Sequence, residues 1–467
     1  MAAMWAWGVR AAQKGRSIGG LFPRRGLAGA LAPPEPGELL PRFRGEVLGH
    51  LGLSRRPRVA VGMSGGVDSS VAALLLRDAG CEVFGVFMRN WDDTEEGSGQ
   101  CSTEADLRDA QAAAEHLGID LVEVNFVAEY WQEVFQRFLA ECQAGLTPNP
   151  DLACNRHIKF KMLLDRVTEL GADALATGHY ARLRDQTGVG RVELLCGADA
   201  EKDQSYFLAQ VPGAALRRCI FPLGGLTKRE VRLRAETAGL HNAARRSSAG
   251  ICFIGRRNFA SFLSEYIEPT PGAFVSVESE EEVGRHPGLE LFTTGQRARI
   301  SGASSPWFVA GKGCSGGTVY VAQGRDNPAL YSSSAVAADF HWVGGAPPAG
   351  VAEAGFRCKF KARYLQKPGW CHLQALGEHQ PDQLPPSRFC LGGSGVSGPG
   401  NTVADGDAFA VRFDLPARAL TPHQALVLYD GDVCLGAGLL LHHGATLFEL
   451  GESRVPPAAL ETPSGRY

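Results

Sequence analysis

The stretch RVAVGMSGGVDSSVAALLL, residues 58–76, decides the fold because it contains a strand, a glycine loop and a helix in direct succession. Residues 59–63 form a short apolar run typical of a buried parallel strand, and residues 71–76 form an apolar run after serines that are able to cap a helix. Between the two runs, Gly65 and Gly66 let backbone N–H groups turn toward a ligand, and the helix points the positive end of its dipole at the same place. The stretch therefore predicts a phosphate-binding loop.

The loop ends without Gly-Lys-Ser/Thr, which excludes a Walker loop with its lysine on the terminal phosphates. The letters SGGVDS, Ser64 to Ser69, instead resemble the PP-loop of the adenylating ATP pyrophosphatases. That resemblance implies ATP as a cosubstrate, and adenylation of a substrate oxygen. The alternative interpretation is a glycine turn between strand and helix that binds no ligand.

Strands and helices alternate after the loop. The patterns predict strands at 82–91, 121–126 and 172–180, and helices at 104–117, 130–142 and 155–170. This alternation indicates an α/β fold with a parallel sheet, in which ligands bind at the carboxyl ends of the strands.

From Phe274 onward, short strand-like runs separated by Gly, Pro and Ser replace the helical periodicity. Such runs predict a small central domain followed by a C-terminal β-barrel, which includes a glycine-rich loop at 392–401. The predicted divisions are a leader at 1–57, a PP-loop catalytic domain at 58–250, a central domain at 251–335, a barrel at 336–445 and a tail at 446–467.

Residues 1–57 carry nine Lys/Arg and three Asp/Glu, and the first acidic residue is Glu35. An acid-poor, arginine-bearing leader of this kind is typical of a mitochondrial transit peptide, although a disordered tail has a similar composition. Without it, 38 basic and 47 acidic residues remain, a formal charge of −9. We therefore expect any nucleic acid to bind through local basic patches, and no apolar run is long enough to predict a membrane span.

The twelve cysteines include no C-x-x-C pair, so neither a zinc ribbon nor a secreted disulfide framework is indicated, and no metal ligands are assigned. Cys154 follows two prolines and Asp151, which is predicted to cap the helix at 155–170, and Arg156, His157 and Lys159 follow it. A helix N-terminus with cations lowers a thiol pKa, so Cys154 is a candidate nucleophile or a buried structural cysteine. Cys252, between apolar residues, is by its context a core residue.

Taken together, several motifs resemble the tRNA-specific 2-thiouridylase family and, with the leader, its mitochondrial members. They occur in order as GMSGGVDSS, GVFMRNW, TPNPDLACNRHIKFK, ALATGHYAR, KDQSYFL, FPLGGLTK, GICFIG, TTGQRARI and GDVCLGAG. The resemblance implies adenylation of the 2-oxygen of the tRNA wobble uridine, with Mg²⁺, and then displacement of AMP by persulfide sulfur. It also implies a sulfur donor such as a cysteine desulfurase or a sulfur carrier, a location in the mitochondrial matrix and no membrane partner.

The resemblance also implies roles for individual residues. Cys252 matches the persulfide-bearing cysteine, and Cys154 matches the nucleophile that releases sulfur by forming a disulfide with it. The matching nucleotide-binding positions are Gly62, Met63, Ser64, Gly65, Gly66, Val67, Asp68, Ser69, Met88 and Gly178. The matching target-base positions are Asn149, Pro150 and Asp151, and the further tRNA positions are His179, Lys202, Asp203, Gln204, Arg363, Tyr364 and Gln424.

Three alternative functions remain open from the sequence. Another PP-loop adenylating enzyme, such as an amidotransferase-type synthetase or a lysidine-forming tRNA enzyme, would not need the two cysteines. A relative that binds RNA without catalysis would not need an intact loop. An iron–sulfur sulfurtransferase would need Cys101 as an added ligand, and no cluster spacing is present. The segment around Ser247 also lacks the acidic residue of the bacterial pattern.

Overall fold

The computed structural model describes residues 45–91, 102–186, 191–245, 253–255, 257–302, 304–313, 316–351, 354–376, 384–390 and 408–460. Most of the predicted leader, Cys101, Ser247, Cys252 and the loop at 392–401 lie outside the described residues.

The first part of the chain forms a five-stranded parallel sheet in the order β3-β2-β1-β4-β7. Its strands are β1 (Arg58–Gly62), β2 (Glu82–Arg89), β3 (Leu121–Asn125), β4 (Ala174–Ala176) and β7 (Cys219–Ile220). A hairpin of β5 (Ala181–Gln186) and β6 (Arg191–Cys196) lies between β4 and β7 in the chain and is not part of this sheet. The strand predicted at 172–180 is shorter than expected, and the predicted PP-loop follows the central strand β1 directly.

Helices pack against this sheet or lie in the segments that connect its strands. They are α1 (45–51), α2 (Val67–Asp78), α3 (Ser102–Leu117), α4 (Val127–Tyr130), α5 (Gln136–Gln143), α6 (Pro150–Ala153), α7 (Leu164–Glu169), α8 (Ser205–Leu208), α9 (Gly213–Leu216) and α10 (Lys228–Thr237). The π-helical segments Trp131–Phe135 and Cys154–Leu163 join α4 to α5 and α6 to α7.

Two helix starts differ from the prediction. Helix α2 begins at Val67 with Gly66 as its N-cap, so the serines lie inside its first turns and do not cap it. The helix predicted at 155–170 begins instead at Pro150, with Asn149 as its N-cap, and Asp151 lies in its first turn. Proline at the first helical position has no N–H to leave unpaired, which favours this earlier start.

The central part has a five-stranded sheet in the order β10-β11-β12-β8-β9, in which only the described pair β12 and β8 is parallel. The elements are α11 (Phe259–Leu263), β8 (Gly272–Ser276), β9 (Glu282–His286), β10 (Arg297–Ala298), β11 (Trp307–Lys312) and β12 (Val319–Gln323), with 3₁₀ turns at Leu289–Leu291 and Pro328–Leu330.

The last part forms a closed six-stranded barrel. Its strands are β13 (Tyr331–Trp342), β14 (Phe356–Lys361), β15 (Gly369–Ala375), β16 (Phe409–Arg418), β17 (Ala425–Asp430) and β18 (Val433–His443), and the short helix α12 (Pro457–Leu460) follows. The order is β13-β16-β15-β14-β17-β18, and pairing of β13 with β18 closes the barrel. The predicted fold class, an α/β parallel-sheet domain with a central domain and a C-terminal barrel, is confirmed.

The hairpin β5–β6 extends the barrel sheet. Cys434 and Val433 of β18 pair with Leu194 and Leu195 of β6 in antiparallel register. The hairpin lies within the PP-loop part of the chain. Strand β6 of this part therefore pairs with strand β18 of the barrel. Exposed strand edges pair readily, and this pairing fixes the barrel against the parallel-sheet part. The predicted limits at 250, 335 and 445 stay predictions.

A large apolar cluster also spans the two parts, containing Cys154 and Phe253 beside the barrel residues Val427 and Tyr429. A second cluster fills the other side of the parallel sheet, between α2, α3 and α10. Within the described part of the chain, no helix is long and apolar enough to cross a membrane.

Candidate active site around the PP-loop

The loop between β1 and α2 has the geometry of an anion site. Gly65 has a φ of +72°, and a Cβ at this position would collide with the backbone oxygen of Asp106. Gly66 is extended and provides no side-chain cap for α2. The first N–H groups of a helix have no intrahelical partners, and the helix dipole favours negative charge there. The loop therefore matches the predicted phosphate site.

The loop is braced by side chains from within and from outside. Ser69 Oγ accepts from the Ser64 N–H at 3.2 Å and donates to the Gly66 carbonyl at 3.0 Å. Asn242 Nδ2 donates to the Gly65 carbonyl and to Ser70 Oγ, both at 3.0 Å. These bonds fix the loop conformation before any ligand binds, which reduces the ordering cost of binding.

Arg245 adds a charged brace. Its guanidinium donates to the Gly65 carbonyl at 3.1 Å and forms ion pairs with Asp106 and Asp109 of α3. The positive charge therefore lies at the back of the loop, neutralised by two carboxylates.

Gly178 lies directly against the loop, as the prediction of a nucleotide-binding glycine requires. A Cβ on Gly178 would come within 2.9 Å of both Asp68 C and Ser69 N. Only glycine allows this close approach of two backbone segments. Met63 is buried and donates its N–H to the Val86 carbonyl at 2.8 Å, and Met88 is half-buried near the end of β2. The loop, Gly178 and β2 thus border one region.

Asp68 is the acidic side chain of the loop, and it has two partners. Lys228 Nζ lies 2.6 Å from Oδ1 and 2.7 Å from Oδ2, and the Tyr180 hydroxyl donates to Oδ1 at 2.7 Å. Burial and the Asp68 charge raise the pKa of Tyr180, so its hydroxyl stays protonated and remains a donor. Lys228 is the first residue of α10, whose Thr227 and Glu230 form a capping box.

Cys154 is buried and lies at the start of the π-helical segment, in the same apolar cluster as Phe253. It follows a full helical turn, and the dipole effect falls off within the first turn, so the predicted lowering of its pKa by the helix N-terminus is weakened. Burial and nearby Arg156 lower the pKa of His157 to about 4, so this imidazole is neutral at pH 7 and adds no positive charge.

Asp151 and His179 lie near the same cation. Burial raises the pKa of Asp151, and the Lys159 charge opposes this. Burial lowers the pKa of His179, and the Lys159 charge lowers it further. His179 is buried against the rings of Phe160 and Phe221, and its Nδ1 is 2.7 Å from Thr177 Oγ1. The Lys159 charge therefore acts on a residue that sequence reasoning assigned to the base and on one that it assigned to the rest of the tRNA.

Gln424 connects the barrel to the TPNPD segment, residues 147–151. Its Nε2 donates to the Thr147 carbonyl at 2.5 Å, two residues before the N-cap Asn149. The neighbouring His423 Nδ1 is 3.1 Å from Glu141 Oε2. Gln424 thus holds the backbone two residues before the predicted base-contacting residue Asn149.

The Lys202–Gln204 segment contacts other parts of the protein. Asp203 is buried and forms an ion pair with Lys361 of β14 at 3.1 Å, and Gln204 Oε1 accepts from the Tyr180 N–H at 3.1 Å. Lys202 is half-buried. Asp203 therefore joins the hairpin region to the barrel, whatever its role toward tRNA.

Arg363 and Tyr364 follow β14 on the barrel. Arg363 donates to the Arg418 carbonyl at 2.6 Å, and the Tyr364 ring lies 4.4 Å from the Phe207 ring. Burial and the charge of Asp203 raise the pKa of Tyr364 to about 12. The functional roles of all these residues stay predictions, and the position of Cys252 lies outside the described residues.

Sequence reasoning missed four residues that brace the loop: Tyr180, Lys228, Asn242 and Arg245. The signal for Lys228 was present, because Thr-Lys-Arg-Glu after FPLGGL is a capping-box pattern that places the lysine at a helix start. Asn242 and Arg245 lie in a turn with no pattern that points to the loop.

Comparison with known proteins agrees with this architecture. Three family models match in order: residues 57–256 match "tRNA methyl transferase HUP domain", 260–323 match "tRNA methyl transferase PRC-barrel domain", and 400–440 match "Aminomethyltransferase beta-barrel domain". Among solved structures, the U34-tRNA thiolase NcsA from Methanococcus maripaludis with its [4Fe-4S] cluster aligns at 20% identity over 49% of this chain and 71% of that chain, with a TM-score of 0.30.

Curated relatives match along almost their whole length. The tRNA-specific 2-thiouridylase MnmA of Geobacillus thermodenitrificans is 45% identical over 399 residues, which cover 84% of this chain and 98% of the relative. The protein of the same name from Pseudomonas aeruginosa is 45% identical over 83% of this chain and 95% of its own length. The one from Lacticaseibacillus paracasei is 46% identical over 82% and 94%. The chain therefore belongs to the tRNA-specific 2-thiouridylase family.

Proposed function

We propose that this chain converts the 2-oxygen of the tRNA wobble uridine to sulfur in an ATP-dependent reaction. The observation that carries the proposal is the cradle made by the positive-φ Gly65, the uncapped start of α2 and the close approach of Gly178. Family membership supports the reaction class, and the geometry of the cradle supports this loop as the place where the nucleotide phosphates bind.

The residues of the cradle fit ATP. Its backbone N–H groups lie at the start of α2, where a phosphate is favoured, and no Walker lysine lies in the loop to hold a terminal phosphate. ATP supplies the AMP group that turns the uridine 2-oxygen into a good leaving group. Loop amides, the α2 dipole and Lys228 provide positive potential for the departing pyrophosphate.

Magnesium fits the same place. Mg²⁺ binds through one or two carboxylates together with substrate phosphates, and Asp68 is the carboxylate of the loop. Lys228 Nζ lies within hydrogen-bond distance of both oxygens of Asp68, so metal binding would require this ion pair to rearrange.

The sulfur step uses two cysteines. A persulfide on Cys252 carries the transferable sulfur as its outer atom, and the Cys154 thiolate attacks the inner atom, Cys252 Sγ. The Cys154–Cys252 disulfide forms as the S–S bond of the persulfide breaks, and hydrosulfide leaves and displaces AMP from the base. A thiol reductant must then supply two electrons to restore both cysteines. The burial of Cys154 supports this step, because a dry site protects hydrosulfide and the activated base from water.

The wobble base has to leave the anticodon stack to reach such a site, and unstacked loop bases are the usual targets of RNA-binding proteins. The TPNPD segment, which Gln424 holds by its backbone, is suited to contact the flipped base. Fixed backbone at this point lets Asn149 and Asp151 approach the base in one orientation.

The setting of the reaction is part of the same proposal. The acid-poor leader supports import into the mitochondrial matrix, and the persulfide chemistry supports a donor such as a cysteine desulfurase or a sulfur carrier. N-terminal sequencing of the protein recovered from mitochondria tests import. A mature terminus near residue 50 is expected, and an intact Met1 there would contradict it.

The reaction is tested by incubating the full chain with unmodified tRNA, ATP, Mg²⁺ and a persulfide donor. We expect 2-thiouridine in the digested tRNA, with AMP and pyrophosphate formed in equal amounts. ADP and phosphate as the nucleotide products would contradict attack at the α-phosphate, and ATP turnover without thiolated tRNA would contradict sulfur transfer.

A further inference from the structure

The outer face of strands β14, β15 and β16 carries a compact group of cations around an exposed tryptophan. Arg357, His372 and Arg412 are exposed and lie directly opposite one another on the three neighbouring strands. Neighbouring strands are about 4.8 Å apart, so the row spans about 10 Å. Side chains alternate along each strand, and the residues between these positions point into the barrel core.

Trp370 is the aromatic centre of this face and is 43% exposed. It pairs with Lys359 across β14 and β15. The Arg357 guanidinium lies 4.2 Å from the Trp370 ring centroid, and Lys359 Nζ lies 5.3 Å from it. Cation–π contacts with two side chains therefore stabilise the Trp370 ring at the surface. An indole without such partners would be more stable when buried.

Among the residues that the structure describes, one carboxylate lies on this face. Asp414 Oδ2 accepts from Arg357 at 2.7 Å, and its Oδ1 is 3.7 Å from His372 Nε2. Three formal cations against one anion leave this group positive, although the chain as a whole has a formal charge of −3. The positive potential is thus local, as expected for a chain that binds a polyanion through a patch.

We propose that this face, defined by Arg357, Lys359, Trp370, His372 and Arg412, binds the phosphate backbone of tRNA away from the wobble base. The inference rests on the proposed function for the identity of the RNA. Arginine and lysine neutralise phosphates, and an exposed aromatic ring beside them stacks on a ribose or an unstacked base. Contacts to phosphates carry no base identity, so this contact is independent of sequence and serves affinity and orientation.

The test is equilibrium binding of a wobble-uridine tRNA transcript to the full chain, measured by fluorescence anisotropy from about 50 to about 200 mM KCl. The double variant Arg357→Gln/Arg412→Gln should bind about 10-fold more weakly at the lowest salt, and the slope of log K against log salt should fall by about 1.5. The variant Asp414→Asn should bind more tightly than the wild type, because it removes the anion from the face.

The matched control is Arg166→Gln/Arg285→Gln, which removes two exposed arginines that also pair with glutamates elsewhere. It should leave affinity and salt slope unchanged. Thermal unfolding of each variant checks that the barrel is intact, and Trp370→Phe, which keeps the ring, should retain most of the binding.

The kinetics separate this inference from the proposed function. If the wild type thiolates tRNA, the double variant should raise KM for tRNA and leave kcat unchanged. If the double variant has an unchanged KM, or a tRNA affinity and salt slope equal to those of the control, the proposal that this face binds tRNA is overturned. The proposed enzyme function then still stands. If the wild type never thiolates tRNA but the double variant still binds tRNA more weakly and with a smaller salt slope, the proposed tRNA-binding surface stands and the proposed enzyme function is overturned. A wild type that does not bind tRNA overturns both.

Discussion

Lys228 Nζ holds both carboxylate oxygens of Asp68, at 2.6 and 2.7 Å, across 160 positions of sequence. The lysine comes from the start of α10 and the aspartate from the PP-loop. The loop has no lysine of its own, and this pair brings one to it from another helix. Most of the Lys228 side chain is buried, so water does not screen the pair strongly.

Replacing Lys228 by Met should weaken use of ATP. The substitution leaves Asp68 without its cation in front of the phosphate site, so the carboxylate repels the nucleotide. We expect kcat/KM for ATP to fall by at least ~10-fold, with a stability loss on the order of 1–3 kcal/mol from the broken charged hydrogen bonds. Steady-state pyrophosphate release over a range of ATP concentrations measures the effect.

Two further variants serve as controls for Lys228. Lys228→Arg keeps the charge and should recover part of the activity, whereas Arg229→Met removes the exposed neighbouring cation and should behave as wild type. Equal activities of Lys228→Met and Arg229→Met would show that the pair with Asp68 has no part in nucleotide binding.

Gly178→Ala should damage the phosphate site from the opposite side. The new Cβ would meet Ser69 N and Asp68 C at 2.9 Å, so the loop must move away. We expect a higher KM for ATP and a stability loss of about 1–3 kcal/mol from overpacking. Gly225→Ala, where a Cβ meets nothing within 4 Å, is the matched control and should be silent in isothermal titration with ATP.

Breaking the buried pair of Asp203 and Lys361 should loosen the barrel from the parallel-sheet part. Either single variant, Asp203→Asn or Lys361→Met, leaves one polar or charged group buried without its partner and should cost about 3–5 kcal/mol. The double variant Asp203→Asn/Lys361→Met should lose less stability than the sum of the two single losses. Chemical unfolding of the three proteins decides this, and additive losses would contradict a direct interaction.

Much of the architecture followed from local pattern, because strand, loop and helix at residues 58–76 are encoded side by side. The attachment of hairpin β5–β6 to the barrel was not predictable, since Leu194 and Cys434 lie far apart in sequence and pair only through the sheet edge. Trp131 shows the same limit. In the helix predicted at 130–142, Phe135 and Phe138 are buried, yet Trp131 is 38% exposed, and the helical pattern alone does not distinguish these aromatic residues.

The residue types of the candidate site were predictable from the sequence. The burial and protonation states of its side chains were less predictable. Glycines that must approach backbone, such as Gly65 and Gly178, carry a sequence signal because no other residue fits. The neutral state of His157 and the helix start at Pro150 depend on burial and on proline geometry in the folded chain. Those features weakened the expected electrostatic activation of Cys154.

His443 gives the barrel a pH-dependent stability. Burial lowers the pKa of His443, but the Cys390 thiol, the Gly444 carbonyl and Glu449 outweigh it and raise the pKa to about 8. A raised pKa means that the contribution is fully present below the unfolded value near 6.5 and is lost as the pH rises through about 8. The loss should be about 2 kcal/mol.

Thermal unfolding midpoints at several pH values test the His443 effect. The wild-type midpoint should fall between pH 6.5 and pH 8, and His443→Gln should remove that fall. His241→Gln, which changes an exposed imidazole, should keep it. An identical pH profile for His443→Gln and wild type would show that the imidazole does not titrate in this range.

The most direct test of the central claim is mass spectrometry of tRNA nucleosides after reaction of Cys154→Ser with ATP, Mg²⁺ and a persulfide donor, with AMP measured in the same samples. Cys154 is buried in the cluster that also contains Phe253, the residue after Cys252, and the PP-loop is untouched by this substitution. The account predicts tRNA-dependent AMP formation without 2-thiouridine, and the same result for Cys252→Ser. Formation of 2-thiouridine at the wild-type rate by Cys154→Ser would contradict it.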